Sequence, residues 1–405
     1  MAVPILTPFV RRNVVPITCL LLAVIVLAAC SGSPEATSLP PAPLLTPEPW
    51  RLPLGPVTLE NVTGLGRLGS STVTRGTVYD LDFSADGRYM LAVSADDTVR
   101  MWETTTGRAV WALPQANTAR AFFVLDDSQV ALVTRNGEVQ LYRTENQAAV
   151  GDFRGHSAAI GPAAVSSDGR LMALGAEDGT VAVWNLQDNR RLYTLRAHGA
   201  PVQELVFSPD GALLATLSAE MTVGLWDTAS GARRATLTVP EQPSTVAFSP
   251  DGAMIAVGTR NAVHLWFTAD GASLRLINTP PGAAIQQVIF TDDGQLLGSG
   301  PTQTISLWEI ESGRRIASLP VQEALINWMT LNPDGDLLVT ASFPGQAYLW
   351  NMDNLDQRFE LSAEADEVAL AAWSPDGRVL VLAGGDGTLY FWGLPGEVAP
   401  TPTLG

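Results

Sequence analysis

The chain has 405 residues, of which 46% are apolar, and its formal net charge is −17. It is long enough for an extended core, and an acidic surface disfavours nucleic acid and anionic lipid as partners. Its 24 basic residues are all arginine, which excludes chemistry that needs a lysine amine, such as a Schiff base or a phosphate-binding loop.

Residues 1–29 have the layout of an export signal. Arg11 and Arg12 precede an apolar run over 14–29, which is shorter than the ~20 residues of a membrane-spanning helix. The run ends in LAAC at Cys30. This stretch resembles the lipobox of bacterial lipoproteins, which implies cleavage before Cys30 and lipidation of that cysteine. An uncleaved membrane anchor and an ordinary signal peptide are the alternatives.

Residues 30–58 are predicted to be a tether. Proline, serine, threonine and alanine dominate them, a composition that forms no core and favours extended geometry. Since Cys19 would leave with the signal, Cys30 would be the one cysteine of the mature chain. The sequence therefore predicts no disulfide, no thiolate catalysis and no cysteine metal site.

Residues 59–69 contain GLGRLG, a formal G-x-G-x-x-G match. A dinucleotide-binding loop needs a following helix, which the sequence does not predict, so we interpret the segment as a β-strand.

A turn motif then recurs, for example LVFSPDG from Leu205 and VAFSPDG from Val246. Proline presets φ, aspartate can bond the local backbone and glycine tolerates positive φ, so each copy predicts the turn of a β-hairpin. Eight aromatic residues follow these turns at intervals of 40 or 42 residues: Trp102, Tyr142, Trp184, Trp226, Trp266, Trp308, Trp350 and Trp392. Eight agreeing units indicate a repeat architecture.

Each unit contains four strand-like runs, which in the fourth unit are PVQELVFS, ALLATLS, TVGLWD and RRATLTV. Stretches such as LWDTASGARRATL from Leu225 resemble the WD-repeat (tryptophan-aspartate repeat) β-propellers over residues 59–394. The resemblance implies an all-β fold with eight four-stranded antiparallel blades around a channel. Because the last unit lacks an outer strand, residues 59–69 are expected to supply it and close the ring. Residues 395–405 would form a tail.

The resemblance also implies a hydrogen-bonded network of histidine, hydroxyl, carboxylate and tryptophan in well-formed blades. The residues that match it are His198, Ser218, Glu220 and Trp226 in the fourth repeat, His156, Asp178 and Trp184 in the third, and Ser94, Asp96 and Trp102 in the first. The other repeats match less of the network, so their blades would depend mainly on apolar packing.

Catalytic signals are weak. The chain has three histidines, His156, His198 and His264, which we interpret as structural, and no nucleophile elbow, metalloprotease motif or phosphate loop. No cofactor and no metal site are predicted, although a glycosidase-like pair of carboxylates stays an open alternative. Arginine pairs such as Arg233 with Arg234 suggest either an anion-binding ring or a solvated rim, and the rim is the simpler interpretation.

A binding rim is sought where one repeat departs from the others. The inner strands align Asp80, Glu204 and Gln287 with the much larger Trp328. The turn after the second strand carries Phe343 in the same repeat and Glu177 in the third. The candidate binding residues are Trp328, Phe343, Asp80, Glu204, Gln287 and Glu177. The alternative is that Trp328 wedges between two blades.

The leading hypothesis is a non-enzymatic scaffold, a monomeric ring that is lipid-anchored outside the cytoplasmic membrane, or at an outer membrane if one exists. It would bind a protein partner and touch the membrane only through its anchor. The alternative is a propeller that acts on, or binds, a small molecule or carbohydrate in its channel, as an enzyme or an envelope protein.

Overall fold

The computed structural model describes residues 50–398 apart from 73–75, 155, 157, 280–284, 300–303, 321–324, 344, 356–357, 364 and 366. The predicted signal at 1–29, the lipidation site Cys30 and most of the tether lie outside this range. In the described part the regular structure is β-strand, with one 3₁₀ turn at Val62–Gly64. No helix in that part is long and apolar enough to cross a membrane.

Eight four-stranded antiparallel sheets follow one another along the chain, as predicted. The strands of blades 1 to 4 are β3 (Val78–Phe83), β4 (Tyr89–Ser94), β5 (Thr98–Glu103), β6 (Arg108–Pro114), β7 (Thr118–Val124), β8 (Gln129–Thr134), β9 (Glu138–Arg143), β10 (Ala149–Arg154), β11 (Ile160–Val165), β12 (Leu171–Ala176), β13 (Thr180–Asn185), β14 (Arg190–Arg196), β15 (Val202–Phe207), β16 (Leu213–Ser218), β17 (Thr222–Asp227) and β18 (Arg233–Thr238).

Blades 5 to 8 repeat the pattern. Their strands are β19 (Thr245–Phe248), β20 (Met254–Gly258), β21 (Ala262–Phe267), β22 (Ser273–Asn278), β23 (Gln287–Phe290), β24 (Gln295–Ser299), β25 (Thr304–Glu309), β26 (Arg315–Pro320), β27 (Leu325–Leu331), β28 (Leu337–Phe343), β29 (Gln346–Asn351), β30 (Arg358–Ser362), β31 (Val368–Trp373), β32 (Leu380–Gly384) and β33 (Thr388–Gly393).

The N-terminal strand closes the ring. β2 (Gly66–Thr72) pairs with β33 as the outer strand of blade 8, and the first strands of consecutive blades contact one another from β3 round to β31 and back to β3. This confirms the predicted closure, although the strand begins near the end of the 59–69 segment. The glycines of GLGRLG therefore lie in a turn and a strand.

The predicted tether and tail need a correction at their inner ends. β1 (Arg51–Pro53) and β34 (Pro395–Val398) form a two-stranded antiparallel sheet beside the ring. Trp50 donates its indole N–H to the carbonyl of Thr105 at 2.8 Å, packs edge-on against Phe391 and covers Gly69 and Gly107. Residues from 50 onward thus belong to the folded body, because they cover the seam between blades 8 and 1.

In five of the eight blades the repeated turn fixes its hairpin with the same hydrogen bonds. In blade 4, Ser208 Oγ donates to Asp210 at 2.6 Å and accepts the Leu213 N–H at 2.8 Å, while Gly211 adopts φ +70°. The serine-aspartate bond recurs in blades 1, 3, 5 and 8. The recurring aspartates of these blades are therefore turn residues, as predicted.

The core consists of apolar layers between neighbouring blades. One layer joins Leu217 and Leu225 of blade 4 to Ile255 and Trp266 of blade 5, and similar layers lie between other neighbouring blades. Antiparallel pairing places the turns between first and second and between third and fourth strands on one side, which we call the turn face. The turns between second and third strands, and the connections between blades, lie on the opposite side, the loop face.

Candidate functional site

The aligned position on the first strands binds one blade to the next rather than forming a rim. Asp80 accepts a hydrogen bond from the Ala121 N–H at 3.1 Å and forms an ion pair with Arg120 at 2.7 Å. Glu204 accepts the N–H of Val246 at 3.2 Å. In blades 1 and 4 the strand register shifts directly before Asp80 and Glu204, and such a bulge re-aims the following side chain.

Gln287 and Trp328 make the same kind of contact. Gln287 bonds both the N–H and the carbonyl of Met329 at 2.9 Å. Trp328 is 6% exposed and donates its indole N–H to Ala371 O at 2.6 Å. These contacts do not support the binding rim predicted for Asp80, Glu204, Gln287 and Trp328, and the burial of Trp328 fits the alternative, in which it wedges between blades. The sequence missed this because it does not show which first-strand side chains reach the next backbone.

The other two predicted rim residues lie at second-strand ends. Glu177 is exposed on the loop face, in the turn after β12. Phe343 ends β28 and pairs with Leu325 in the backbone register, but its side chain lies outside the described set. Glu177 is thus the member of the predicted rim that the described structure leaves on the surface.

The hydrogen-bonded network is most complete in blade 4, with one correction to the predicted residues. The Trp226 indole donates to Thr216 Oγ1 at 3.0 Å, and Thr216 Oγ1 lies 2.9 Å from His198 Nε2. Ser218, the predicted hydroxyl, instead donates to Ala200 O at 3.4 Å. Glu220 lies 3.7 Å from His198 Nδ1. Burial lowers the pKa of His198 below its usual value, so the ring is neutral at pH 7.

A spacing rule could have found the correct hydroxyl. Thr216 stands ten residues before Trp226, and Thr340, ten residues before Trp350, accepts that indole N–H at 3.1 Å. The predicted serine stands eight residues before its tryptophan. In a paired β-ladder this difference of two residues moves the hydroxyl along the strand, out of reach of the indole.

Blades 3 and 1 keep only part of the network. His156 Nε2 lies 3.2 Å from Thr180 Oγ1, which donates to Asp178 at 2.6 Å. The buried Trp184 N–H has no hydrogen-bond partner among the described residues, because Leu174 occupies the position of Thr216. Its ring stacks on Phe153 instead. In blade 1, Ser94 donates to Asp96 at 2.5 Å, while Trp102 is buried among apolar residues.

The arginines that open the fourth strands have partners of their own. Arg233 lies over the Trp226 ring at 4.4 Å and donates to Ala197 O at 2.9 Å, while Arg234 pairs with Asp227 at 3.3 Å. Arg191 lies over Trp184. These contacts favour the solvated-rim interpretation over an anion-binding ring, since the cations already cover aromatic faces or pair with carboxylates.

Metal-ligating and acidic side chains occur in several places among the described residues. No cluster of three or more histidines, cysteines or carboxylates there has the arrangement of a metal site. A cleft of about 200 Å³ between blades 6 and 7 is lined by five aspartates, Asp292, Asp293, Asp334, Asp336 and Asp353. Two of them are bonded within their own turns, Asp293 to Thr291 and Asp336 to Asn332.

Fold and site together define a class: a closed eight-bladed propeller whose polar first-strand residues join blades. Residues 118–393 match the family described as IFT122 first beta-propeller, and residues 68–103 match the WD domain, G-beta repeat. The first of these matches covers most of the chain, so the chain belongs to this family of WD-repeat propellers.

Individual relatives match over shorter lengths. Mouse WD repeat-containing protein 3 is 29% identical over 96 residues, which is 24% of this chain and 10% of that protein. Mouse apoptotic protease-activating factor 1 is 28% identical over 91 residues, or 22% of this chain and 7% of that protein. The computationally designed Ika8 protein shares the fold with a TM-score of 0.69 at 20% identity, over 80% of this chain and 98% of that one.

Proposed function

We propose that this chain is a lipid-anchored, extracytoplasmic scaffold for protein-protein interaction. The observation that supports the scaffold role is the use of the polar first-strand residues: Asp80, Glu204 and Gln287 bond the next blade. The ring is therefore held rigid from within, while the turns of its loop face differ in sequence from blade to blade. A rigid frame that carries variable loops suits recognition.

The anchor and the location rest on the sequence around Cys30. They are tested by expressing the full chain in bacteria with an alkyne-labelled fatty acid. The wild-type chain should incorporate the label and partition with membranes, whereas Cys30→Ala should do neither. Cys19→Ala is the matched control, because Cys19 would be removed with the signal and its loss should leave labelling unchanged. Equal labelling of wild type and Cys30→Ala would contradict the anchor.

The scaffold role is tested by cross-linking. The full chain, solubilised in detergent, is cross-linked to envelope proteins of the source cells and the cross-linked sites are mapped by mass spectrometry. The proposal expects one recurring partner whose cross-links concentrate on one face of the ring. Cross-links scattered over both faces, with no recurring partner, would overturn it.

One observation favours the channel alternative. Asp82 is half-buried on a first strand, accepts the Phe123 N–H at 2.7 Å, and burial raises the pKa of its carboxyl well above the usual value. A carboxyl with a raised pKa beside a second carboxyl, that of Asp80, resembles the acid of a glycosidase pair. Incubation of the full chain with chromogenic glycosides, esters and lactones tests it: turnover that Asp82→Asn abolishes would support an enzyme.

A further inference from the structure

The turn after β16 carries an apolar residue in a strained and exposed position. Met221 adopts φ +62° and is 47% exposed. A side chain with a Cβ disfavours this left-handed geometry by about 1 kcal/mol or more relative to glycine. The equivalent position elsewhere holds residues that tolerate positive φ: Gly137, Gly179, Gly345, Gly387 and Asp97.

Met221 also differs from the other apolar residue at positive φ among the described residues. Leu125 has φ +52°, but its side chain packs against the core layer of blades 2 and 3. Packing with the core explains why a leucine is found at positive φ at position 125. The Met221 side chain instead extends from the loop face. An exposed, flexible and polarisable methionine is a common element of protein-binding surfaces.

The surroundings of Met221 form a continuous surface. Met221 O accepts the Val239 N–H at 3.0 Å, which brings the exposed Pro240 beside the turn. On the other side the Glu220 carboxylate packs over Gly199. Beyond Pro240, Glu241 accepts a hydrogen bond from Asn261 of blade 5 at 2.7 Å. The other carboxylate oxygen of Glu241 is buried and has no partner among the described residues, so the accessible carboxylate beside the exposed pair Met221 and Pro240 is that of Glu220.

The charged residues around Met221 indicate which class of partner would bind there. The turns between second and third strands in blades 3, 4 and 5 contain three acidic residues, Glu177, Asp178 and Glu220, against one basic residue, Arg260. His198, which lies beside Glu220, is buried and neutral and adds no compensating charge. A partner segment that reaches Met221 therefore meets negative potential on the side of Glu220 and blade 3.

We propose that Met221 and Pro240, with Glu220, form the docking surface for a protein segment that presents an apolar side chain next to an arginine or lysine. This inference rests on the proposed scaffold role and adds to it the location and the chemistry of the partner. Met221 would be the central contact, since central apolar residues dominate binding energy in such interfaces. The Glu220 carboxylate would orient the segment and speed its association.

The experiment selects peptides from a random display library on the detergent-solubilised full chain and measures their affinity by fluorescence anisotropy. Selected sequences should carry an apolar residue next to a basic one. Met221→Gly should raise Kd at least about tenfold while leaving the thermal midpoint unchanged or higher, because glycine relieves the positive φ. Glu220→Gln should weaken binding about threefold and flatten its salt dependence.

Leu276→Thr is the matched control. Leu276 is 53% exposed on the outer strand of blade 5, where blades 3 and 4 have Thr194 and Thr236, and its replacement should leave Kd unchanged. Peptides that are neutral or acidic, peptides that bind Met221→Gly as well as wild type, or a selection that enriches no sequence would each overturn this inference. None of these outcomes touches the cross-linking result on which the scaffold role depends, so the two proposals fail separately.

Discussion

At the scale of single residues, the same side-chain types serve different ends according to their position. Thr216 accepts one indole N–H and contacts one imidazole nitrogen in blade 4, whereas Ser218, two residues further along the strand, makes a single long bond to Ala200 O. A buried donor that is left without an acceptor costs more free energy than a typical intramolecular hydrogen bond contributes, because that bond only replaces a bond to water. The contribution of a hydroxyl here therefore depends on how many buried groups it satisfies.

Thr216→Val tests the corrected assignment. The change keeps the shape of the side chain but leaves the buried Trp226 Nε1 without its acceptor and His198 Nε2 with only the backbone carbonyl of residue 216, so the free energy of unfolding should fall by about 2 kcal/mol. Ser218→Ala should lower it by less than about 1 kcal/mol. Denaturant unfolding of both variants checks this, and a larger loss for Ser218→Ala would restore the serine to the network.

Asp82→Asn provides a test with a pH dependence. Since burial raises the pKa of the folded carboxyl above its usual value of 3.8, this group makes the folded state less stable as the pH rises from that value through the raised pKa. The variant should be more stable than wild type at pH 8, with a gain that shrinks towards pH 4. Denaturant unfolding across this range is the measurement, with the exposed Asp292→Asn as control; a gain that does not change with pH would contradict the interpretation.

At the scale of elements, the segment before the first blade serves as the closing strand and also covers the seam. β2 pairs with β33, β1 pairs with β34, and Trp50 lies against both Phe391 of blade 8 and the turn at Thr105 of blade 1. Gly69 and Gly107 leave room for the indole, because any side chain there would occupy its place. The seam is therefore joined by contacts on two elements rather than by one strand.

Trp50→Ala should lower the free energy of unfolding by about 2–3 kcal/mol, since it removes a large packed ring and its hydrogen bond. Leu54→Ala is the matched control: Leu54 is 73% exposed in the same segment, and its loss should change stability by less than about 0.5 kcal/mol. Thermal unfolding monitored by tryptophan fluorescence compares the two. Equal effects would show that the indole does not hold the seam.

At the scale of the whole molecule, each of the eight blades in the described part has four strands, and blade 8 has its fourth only because β2 is present. The apolar layers lie between blades, so each blade is stabilised by two neighbours, and opening the ring at one seam exposes two apolar faces. A three-stranded blade 8 would also expose the edge of β33, and exposed edges promote association.

Removing residues 1–72 should therefore give a chain that elutes as oligomers and has lost its cooperative thermal transition. Removing residues 1–49 is the control and should leave the monomer and the transition in place, because the described seam contacts begin at Trp50. Size-exclusion chromatography with light scattering and calorimetry measure both properties. A stable monomer that begins at residue 73 would show that closure does not depend on the N-terminal strand.

The sequence by itself determined the repeat, its strand number, the hairpin turns and the need for a closing strand, because each of these follows from local patterns such as Ser208–Gly211 and the spacing of tryptophans like Trp226. Only the tertiary structure decided what Asp80, Glu204, Gln287 and Trp328 do, since their partners are backbone groups of the next blade, some 42 residues away. The same holds for Trp50, whose partners Thr105 and Phe391 are brought close by closure of the ring, and for Thr216, whose partners Trp226 and His198 are brought close by strand pairing in blade 4. Local conformational propensity depends on residues that are near one another in sequence. A contact between blades exists only once the blades have packed together in the ring.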